Sequence, residues 1–214
     1  MPDGEVMPKT LYVAGTRRGV GKTRVSRFLL SSLSGAAAVK LTCCRGGTSC
    51  PRERPCGVCA ALDAPFAVIS DPEIIAHPGK DTALLAEVCG GSVVWLQARE
   101  QALREGLEAA LLALRDHPVV VVEGNAAFQA TEPDLGILVI GPGPDPPKAT
   151  VAVALKAVRG VVLNLRPGCP PPVLIEGLRE HARIFSFDAA QPHTGQEAQS
   201  FIAWVKEELG VQHA

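Results

Sequence analysis

A glycine-rich stretch near the N-terminus carries the residues whose types and spacing best fit a defined chemistry. It reads LYVAGTRRGVGKT over residues 11–23, an apolar segment followed by glycines and then by Lys22 and Thr23. Because glycine lacks a Cβ, the backbone N–H groups of such a loop converge on phosphate oxygens. A helix that begins there adds its dipole, Lys22 supplies a cation for the β- and γ-phosphates, and Thr23 offers a hydroxyl to Mg²⁺. The stretch therefore predicts a phosphate-binding loop.

The spacing of the glycines departs from the usual pattern G-x-x-x-x-G-K-[ST]. Thr16 stands where that pattern has its first glycine, and Gly15 comes one residue early. We expect both to contact the nucleotide, together with Arg18, Gly19, Val20, Gly21 and Arg24. A chance GKT in an ordinary loop is the alternative, and the strand-like and helix-like flanks argue against it.

The composition of the chain argues against several classes of function. We expect one domain over residues 1–214, a length that allows a full core. The formal net charge of -1 gives no support to nonspecific binding of nucleic acid, which needs a basic excess. The N-terminal segment lacks a signal-peptide pattern, and no apolar run approaches the ~18 residues of a membrane span. We therefore expect a cytoplasmic protein with no nucleic-acid and no membrane partner.

Strand-like and helix-like segments alternate along the chain, which is typical of a parallel sheet between two layers of helices. Beyond the strand before the loop, the strand-like segments are 36–42, 65–70, 92–97, 118–124, 135–141, 160–165 and 183–188. The helix-like segments are 21–34, 81–91, 98–116, 148–158, 173–182 and 195–210. The segment 118–124 is the most apolar, which indicates a central strand buried on both faces. The sequence thus predicts an α/β fold, a three-layer α/β/α sandwich with a mainly parallel sheet of about seven strands.

With these segments located, the chain resembles two groups of P-loop proteins. GTRRGVGKT has the register of the GT-x-x-x-VGKT loop of dethiobiotin synthetases and is similar to the KGGVGKT loop of the SIMIBI class of NTPases. VKLTCC, PGKDTALLAEVCGGSVVWL and VVVVEGNAAF resemble segments of the MobB family, accessory proteins of molybdopterin guanine dinucleotide synthesis. The likeness covers about residues 10–165 and implies the P-loop NTPase fold, with ATP or GTP and Mg²⁺ as ligands.

Three residues outside the loop take roles from this resemblance. Glu123 matches a glutamate with which dethiobiotin synthetases hold Mg²⁺, and carboxylates are ordinary ligands of that ion. Asn164 resembles the asparagine with which such proteins read the edge of a nucleotide base, and Lys40 matches a strand-end lysine near the second substrate. A solvated acid at a strand end is the alternative for Glu123, and an ordinary strand-end residue is the alternative for Asn164.

Arg17 falls where KGGVGKT-type loops carry a lysine that reaches the phosphates of a partner subunit. Arginine suits this role, since its planar guanidinium pairs well with phosphate. The resemblance therefore implies a homodimer in which Arg17 or Arg18 acts across the interface, and a protein partner in cofactor biosynthesis. A phosphate contact within one subunit, or an exposed loop charge, is the alternative.

Five cysteines lie within residues 43–59, CCRGGTSCPRERPCGVC. The terminal C-x-x-C is a strong metal-chelating pair, and clustered cysteines in a cytoplasmic protein indicate metal or redox chemistry rather than disulfides. We expect a metal-binding insertion with a structural zinc held by Cys44, Cys50, Cys56 and Cys59, with Cys43 spare because adjacent thiols rarely chelate one ion. An iron–sulfur cluster and reduced thiols are the alternatives.

These features predict a Mg²⁺-dependent protein that binds ATP or GTP and hydrolyses it slowly, with a MobB-like role in molybdenum cofactor biosynthesis. The expected catalytic residues are Lys22, Thr23, Glu123 and Arg17. One alternative is an ATP-dependent ligase or kinase like dethiobiotin synthetase, and another is a nucleotide-controlled metallochaperone or adaptor that uses the cysteines. Lys80 and Asp81 are further candidate contacts for phosphate or Mg²⁺, and a helix N-cap is the alternative for Asp81.

Overall fold

An eight-stranded sheet forms the centre of the protein in a computed structural model that describes residues 7–44, 62–143, 150–192 and 195–211. The strands are β1 Lys9–Gly15, β2 Ala37–Cys44, β3 Phe66–Ile69, β4 Val93–Arg99, β5 Val119–Glu123, β6 Leu135–Ile140, β7 Val158–Asn164 and β8 Arg183–Phe187. The α-helices are α1 Lys22–Ser32, α2 Pro72–Ile75, α3 Asp81–Ala86, α4 Leu103–Leu112, α5 Ala127–Ala130, α6 Val151–Leu155 and α7 Gln196–Leu209. Short 3₁₀ turns occupy Glu100–Ala102 and Leu178–Glu180.

The strands are ordered β3-β4-β2-β5-β1-β6-β7-β8, and every neighbouring pair is parallel except β3 with β4. The central strand β5 is buried at all five positions, as the run of valines predicts. Because seven strands point the same way, their carboxyl ends meet at one edge of the sheet. Loops at that edge line the crevice in which open α/β sheets bind ligands.

Helices cover both faces of the sheet, which confirms the three-layer architecture expected from the sequence. Alternate residues of β5 divide between two cores, since successive strand side chains point to opposite faces. Val121 packs on the side of α1, α3 and α7, and Val122 packs on the side of α4, α5 and α6. Among the described residues, no helix is both long enough and apolar enough to cross a membrane.

Several element boundaries differ from the sequence-based expectation. The predicted helix over 173–182 is wrong, because only the 3₁₀ turn at Leu178–Glu180 forms there. Gly177 stops a longer helix, since its φ of 82° lies in the left-handed region. The helix expected over 98–116 begins only at Leu103, because β4 continues to Arg99 and a 3₁₀ turn follows it.

A cluster of aromatic side chains fastens α7 to the sheet and to α1. Phe201 is fully buried at its centre, with ring centroids 5.2 to 6.5 Å from those of Phe28, Phe185, Phe187 and Trp204. Aromatic pairs at these separations add to the stabilisation that burial alone provides. The cluster therefore joins α7 to β8 and to α1.

We expect Phe201→Ala to lower the free energy of unfolding by about 3–5 kcal/mol, because it leaves a cavity among these rings. Chemical denaturation followed by tryptophan fluorescence and circular dichroism measures the loss. Leu112→Ala is the control, since that side chain is 46% exposed and its truncation is expected to change stability by less than about 0.5 kcal/mol. Equal effects of the two substitutions would contradict the assignment of this core.

Candidate functional site

The glycine-rich loop connects the end of β1 to the first residue of α1, Lys22. Gly21 precedes the helix with φ 106°, a left-handed value that a side chain disfavours. The stem of Lys22 folds back over Gly15, where a Cβ would lie only 2.7 Å from the lysine Cγ. No described non-glycine residue has a positive φ, Thr16 included, so threonine fits where the usual pattern has a glycine.

Asn125, which follows β5, holds the start of the loop. Its side-chain oxygen accepts a hydrogen bond from Gly15 N at 2.9 Å, and its amide nitrogen donates to Gly15 O, also at 2.9 Å. The same nitrogen lies 3.3 Å from Thr150 Oγ1 at the start of α6. One amide thus satisfies both backbone groups of a buried glycine. Asn125 is not among the residues predicted from the sequence, although an asparagine directly after a strand-end Glu-Gly signals such a backbone contact.

Asn164, at the end of β7, holds the other end of the loop. It is fully buried, and its amide nitrogen donates to Val20 O at 2.7 Å while its oxygen accepts from Ala189 N at 2.9 Å. Nearby, Arg166 donates to Gly19 O. Both ends of the Asn164 amide therefore bond to backbone in this conformation, and its reading of a nucleotide base stays a prediction.

The arginines of the loop differ in their surroundings. Arg17 donates through Nη2 to Pro142 O, a contact within the same chain. Arg18 and Arg24 are exposed. Arg24 and Phe28 border a cavity of about 300 Å³ beside α1, whose other walls include Ala189, Ala190 and Pro192. The action of Arg17 or Arg18 across a homodimer stays a prediction.

A compact group of charged side chains lies next to the start of α1. Lys40 of β2 stands opposite Glu123 of β5 in the parallel register, and its Nζ is 2.6 Å from Glu123 Oε1. The same ammonium is 2.5 Å from Oδ2 of Asp81, the first residue of α3. Thr23 donates its hydroxyl to Glu123 Oε1 at 3.0 Å. The structure thus brings together Thr23, Glu123 and Lys40, which the sequence predicted separately.

Opposite charges set the protonation of this group. Burial lowers the pKa of Lys40, but the charges of Glu123 and Asp81 and the hydrogen bonds to them outweigh it and hold the pKa above its ordinary value. Burial raises the pKa of Asp81, but the charge of Lys40 and hydrogen bonds from Lys40 and Thr23 bring it below its ordinary value. Lys40 is therefore cationic and Asp81 anionic at neutral pH.

The oxygens of this group fit a magnesium ion. Glu123 is only 1% exposed, and its Oε2 has no hydrogen-bond partner among the described residues. Two carboxylates and a hydroxyl, here beside the glycine-rich loop, are the donor set that Mg²⁺ takes together with phosphate oxygens and water. Asp81 belongs to this set, and the N-cap position is occupied by Lys80 instead.

The first two cysteines of the predicted insertion belong to β2 and not to a loop. Successive strand residues point to opposite faces, so Cys43 packs against the core beneath α4 while Cys44 shares the face of Lys40. The two thiols therefore lie on opposite faces of β2, and a zinc site that leaves Cys43 spare stays a prediction. The remaining predicted ligands, Cys50, Cys56 and Cys59, lie outside the described residues. Within the described residues, no group of three or more His, Cys, Asp and Glu could hold a metal ion.

Comparison with known proteins gives distant likenesses to solved structures. No protein-family model matches the chain, and no curated protein matches it at a significant level. A LAO/AO transport system kinase is 14% identical, with a TM-score of 0.47, and the match covers 97% of this chain and 61% of that chain. A nucleotide-binding protein in complex with ADP from Archaeoglobus fulgidus is 14% identical, with a TM-score of 0.41 and coverage of 96% and 89%. This chain thus spans about three-fifths of the kinase's length.

We expect Asn125→Ala to lower the free energy of unfolding by about 1–3 kcal/mol, because the buried N–H and C=O of Gly15 lose their partners. Denaturant titration measures the loss. Gln129→Ala, a truncated amide on the neighbouring helix α5, serves as the control and is expected to unfold like the unmodified protein. Identical midpoints for both variants would show that Asn125 does not hold the loop.

Proposed function

We propose that this protein binds a nucleoside triphosphate with Mg²⁺ and slowly hydrolyses or transfers its γ-phosphate. One observation carries the proposal. The glycine-rich loop, the Thr23 hydroxyl and the buried Glu123 carboxylate converge at the carboxyl edge of a parallel sheet. That edge is where α/β proteins bind their ligands, and these are the donors that a metal–phosphate group requires.

Each part of the loop has a proposed role in this chemistry. The eleven-residue helix α1 directs its N-terminal N–H groups and the positive end of its dipole at the phosphates. Lys22 neutralises charge on the β- and γ-phosphates, and Arg17 supplies further positive charge at the loop. Bonds from Asn125 and Asn164 hold the loop before the ligand arrives, so little ordering remains to be done on binding.

Thr23, Glu123 and Asp81 are the residues that would hold Mg²⁺. Glu123 Oε2 has no hydrogen-bond partner in the part of the chain that the structure describes, and this supports the assignment, because a buried carboxylate oxygen is costly without a partner. Bound Mg²⁺ supplies neutralisation of the charge on the transferring phosphoryl group. The protein's own contribution is to fix these oxygens beside the loop.

The cavity beside Arg24 is the proposed site for the nucleoside. Its volume of about 300 Å³ lies at the lower end of the range for small-molecule sites. It opens between α1 and the segment after β8, next to the Asn164–Ala189 hydrogen bond. The chain has no N-K-x-D guanine motif, so the choice between ATP and GTP is left to competition experiments.

We expect Lys22→Ala to weaken binding of a fluorescent ATP analogue about 10- to 100-fold, because a hydrogen bond from a charged donor contributes roughly 1.5–3 kcal/mol. Thr23→Val is expected to remove the Mg²⁺ dependence of binding. Fluorescence titration with Mg²⁺ or EDTA measures both, and competition with unlabelled ATP and GTP identifies the base. Lys156→Ala removes an exposed lysine far from the loop and should bind as the unmodified protein does. Unchanged binding by Lys22→Ala would refute the proposal.

The finer assignment is a MobB-like accessory role in molybdenum cofactor biosynthesis, and its support is the sequence likeness of the three segments named above. A second candidate is nucleotide-controlled handling of a metal. The position of Cys44 favours it, since Cys44 lies four residues along β2 from Lys40 on the same face. The Cys44 side chain therefore lies on the face of β2 that carries the proposed magnesium site.

We expect one zinc ion per purified chain, held by Cys44, Cys50, Cys56 and Cys59, as measured by inductively coupled plasma mass spectrometry. Cys56→Ser is expected to lose most of it, because one of four thiolates is removed from the tetrahedral site. Cys169→Ser changes an exposed cysteine elsewhere and should retain the metal. A brown protein with visible absorbance would replace zinc by an iron–sulfur cluster, and a metal-free protein would exclude both.

A further inference from the structure

The ammonium of Lys40 stands at the point on which the proposed magnesium ligands converge. Its Nζ is 2.6 Å from Glu123 Oε1 and 2.5 Å from Asp81 Oδ2. Thr23 Oγ1 lies 3.0 Å from the same Glu123 oxygen. A lysine cation therefore already contacts both carboxylates that would bind the metal.

Burial explains why a cation is needed there. Glu123 is 1% exposed, and the Lys40 side chain is 17% exposed. A carboxylate so deeply buried strongly destabilises the folded protein unless an opposite charge or hydrogen bonds compensate it. Among the described residues, Lys40 is the cation that a salt bridge joins to Glu123.

A metal ion and this ammonium cannot hold the same oxygens together. Mg²⁺ binds carboxylate oxygens at about 2.0–2.1 Å and requires near-octahedral geometry. Glu123 Oε1 already accepts from both Lys40 and Thr23 at hydrogen-bond distance. A divalent ion on either oxygen of this carboxylate, Oε2 included, would stand within a few ångströms of the ammonium, and the two cations would repel each other.

We propose that Lys40 occupies the cation position in the metal-free protein and that Mg²⁺ displaces its ammonium on binding. This inference rests on the magnesium site of the proposed function. Lys40 is then an internal counter-ion that keeps the nucleotide-free protein stable and weakens its affinity for free metal. Its release requires the additional ligands that a bound nucleotide's phosphates provide, so metal enters together with nucleotide.

The test uses Lys40→Met in the absence of nucleotide, with thermal unfolding measured in EDTA and in Mg²⁺. We expect the variant to melt several degrees below the unmodified protein in EDTA, because Glu123 and Asp81 lose their counter-ion. We expect Mg²⁺ to restore most of that loss, and to leave the melting temperature of the unmodified protein unchanged. Electron paramagnetic resonance with Mn²⁺ alone should show about tenfold tighter binding to Lys40→Met.

Lys9→Met is the matched control, because Lys9 also pairs with a carboxylate, that of Asp134, at 2.8 Å. The Lys9 side chain is 53% exposed and lies at the end of β1 opposite to the glycine-rich loop. Any loss of stability in that variant should not respond to Mg²⁺. Lys40→Arg keeps the charge and should bind Mn²⁺ as weakly as the unmodified protein. If Lys40→Met folds only in the presence of Mg²⁺, that outcome is the expected rescue by the metal. The Mn²⁺ affinity of Lys40→Arg then still tests whether the charge at residue 40 weakens metal binding.

Equal Mn²⁺ affinity and an equal Mg²⁺ response in Lys40→Met and the unmodified protein would overturn the inference. Titration of the unmodified protein with the fluorescent ATP analogue separates that failure from a failure of the proposed function. If the analogue binds with Mg²⁺ dependence while the variants behave alike, only the displacement of Lys40 is wrong. If the analogue does not bind, the proposed function fails, and the inference fails with it.

Discussion

The burial of the Glu123 carboxylate is the constraint on which the site depends. A strand-end acid that is 1% exposed must be compensated, and the parallel register of β5 with β2 places Lys40 directly opposite. The same ammonium reaches Asp81, which positions the start of α3 against the sheet. One ion-pair network therefore joins two strands and a helix, and beside the glycine-rich loop it leaves Glu123 Oε2 without a partner among the described residues.

The loop itself is held by the elements around it and not by its own sequence alone. Asn125 bonds to Gly15 at its start, and Asn164 bonds to Val20 near its end. Asn125 follows β5, and Asn164 is the last residue of β7. These two strands lie on either side of the β1–β6 pair. Each bond satisfies a backbone group that would otherwise be buried without a partner, so side chains of other elements fix the start and the end of the loop.

Strand β2 connects the charged site to the cysteine-rich segment. Its alternation places Lys40, Thr42 and Cys44 on one face and Cys43 on the other. The pleat of the strand thus separates adjacent thiols that look equivalent in the sequence. Cys44 thus lies on the face of the sheet against which α1 and α3 pack.

The sequence by itself determined the α/β layers, the central valine-rich strand and the loop that ends in Lys22 and Thr23, because periodicity and short motifs are local signals. It left the role of Asp81 open, did not point to Asn125, and did not predict the two backbone hydrogen bonds of the Asn164 amide. Those features join residues about 25 to 144 positions apart in the chain. Only the strand order and register bring them together, so only the tertiary structure decided how the site is assembled.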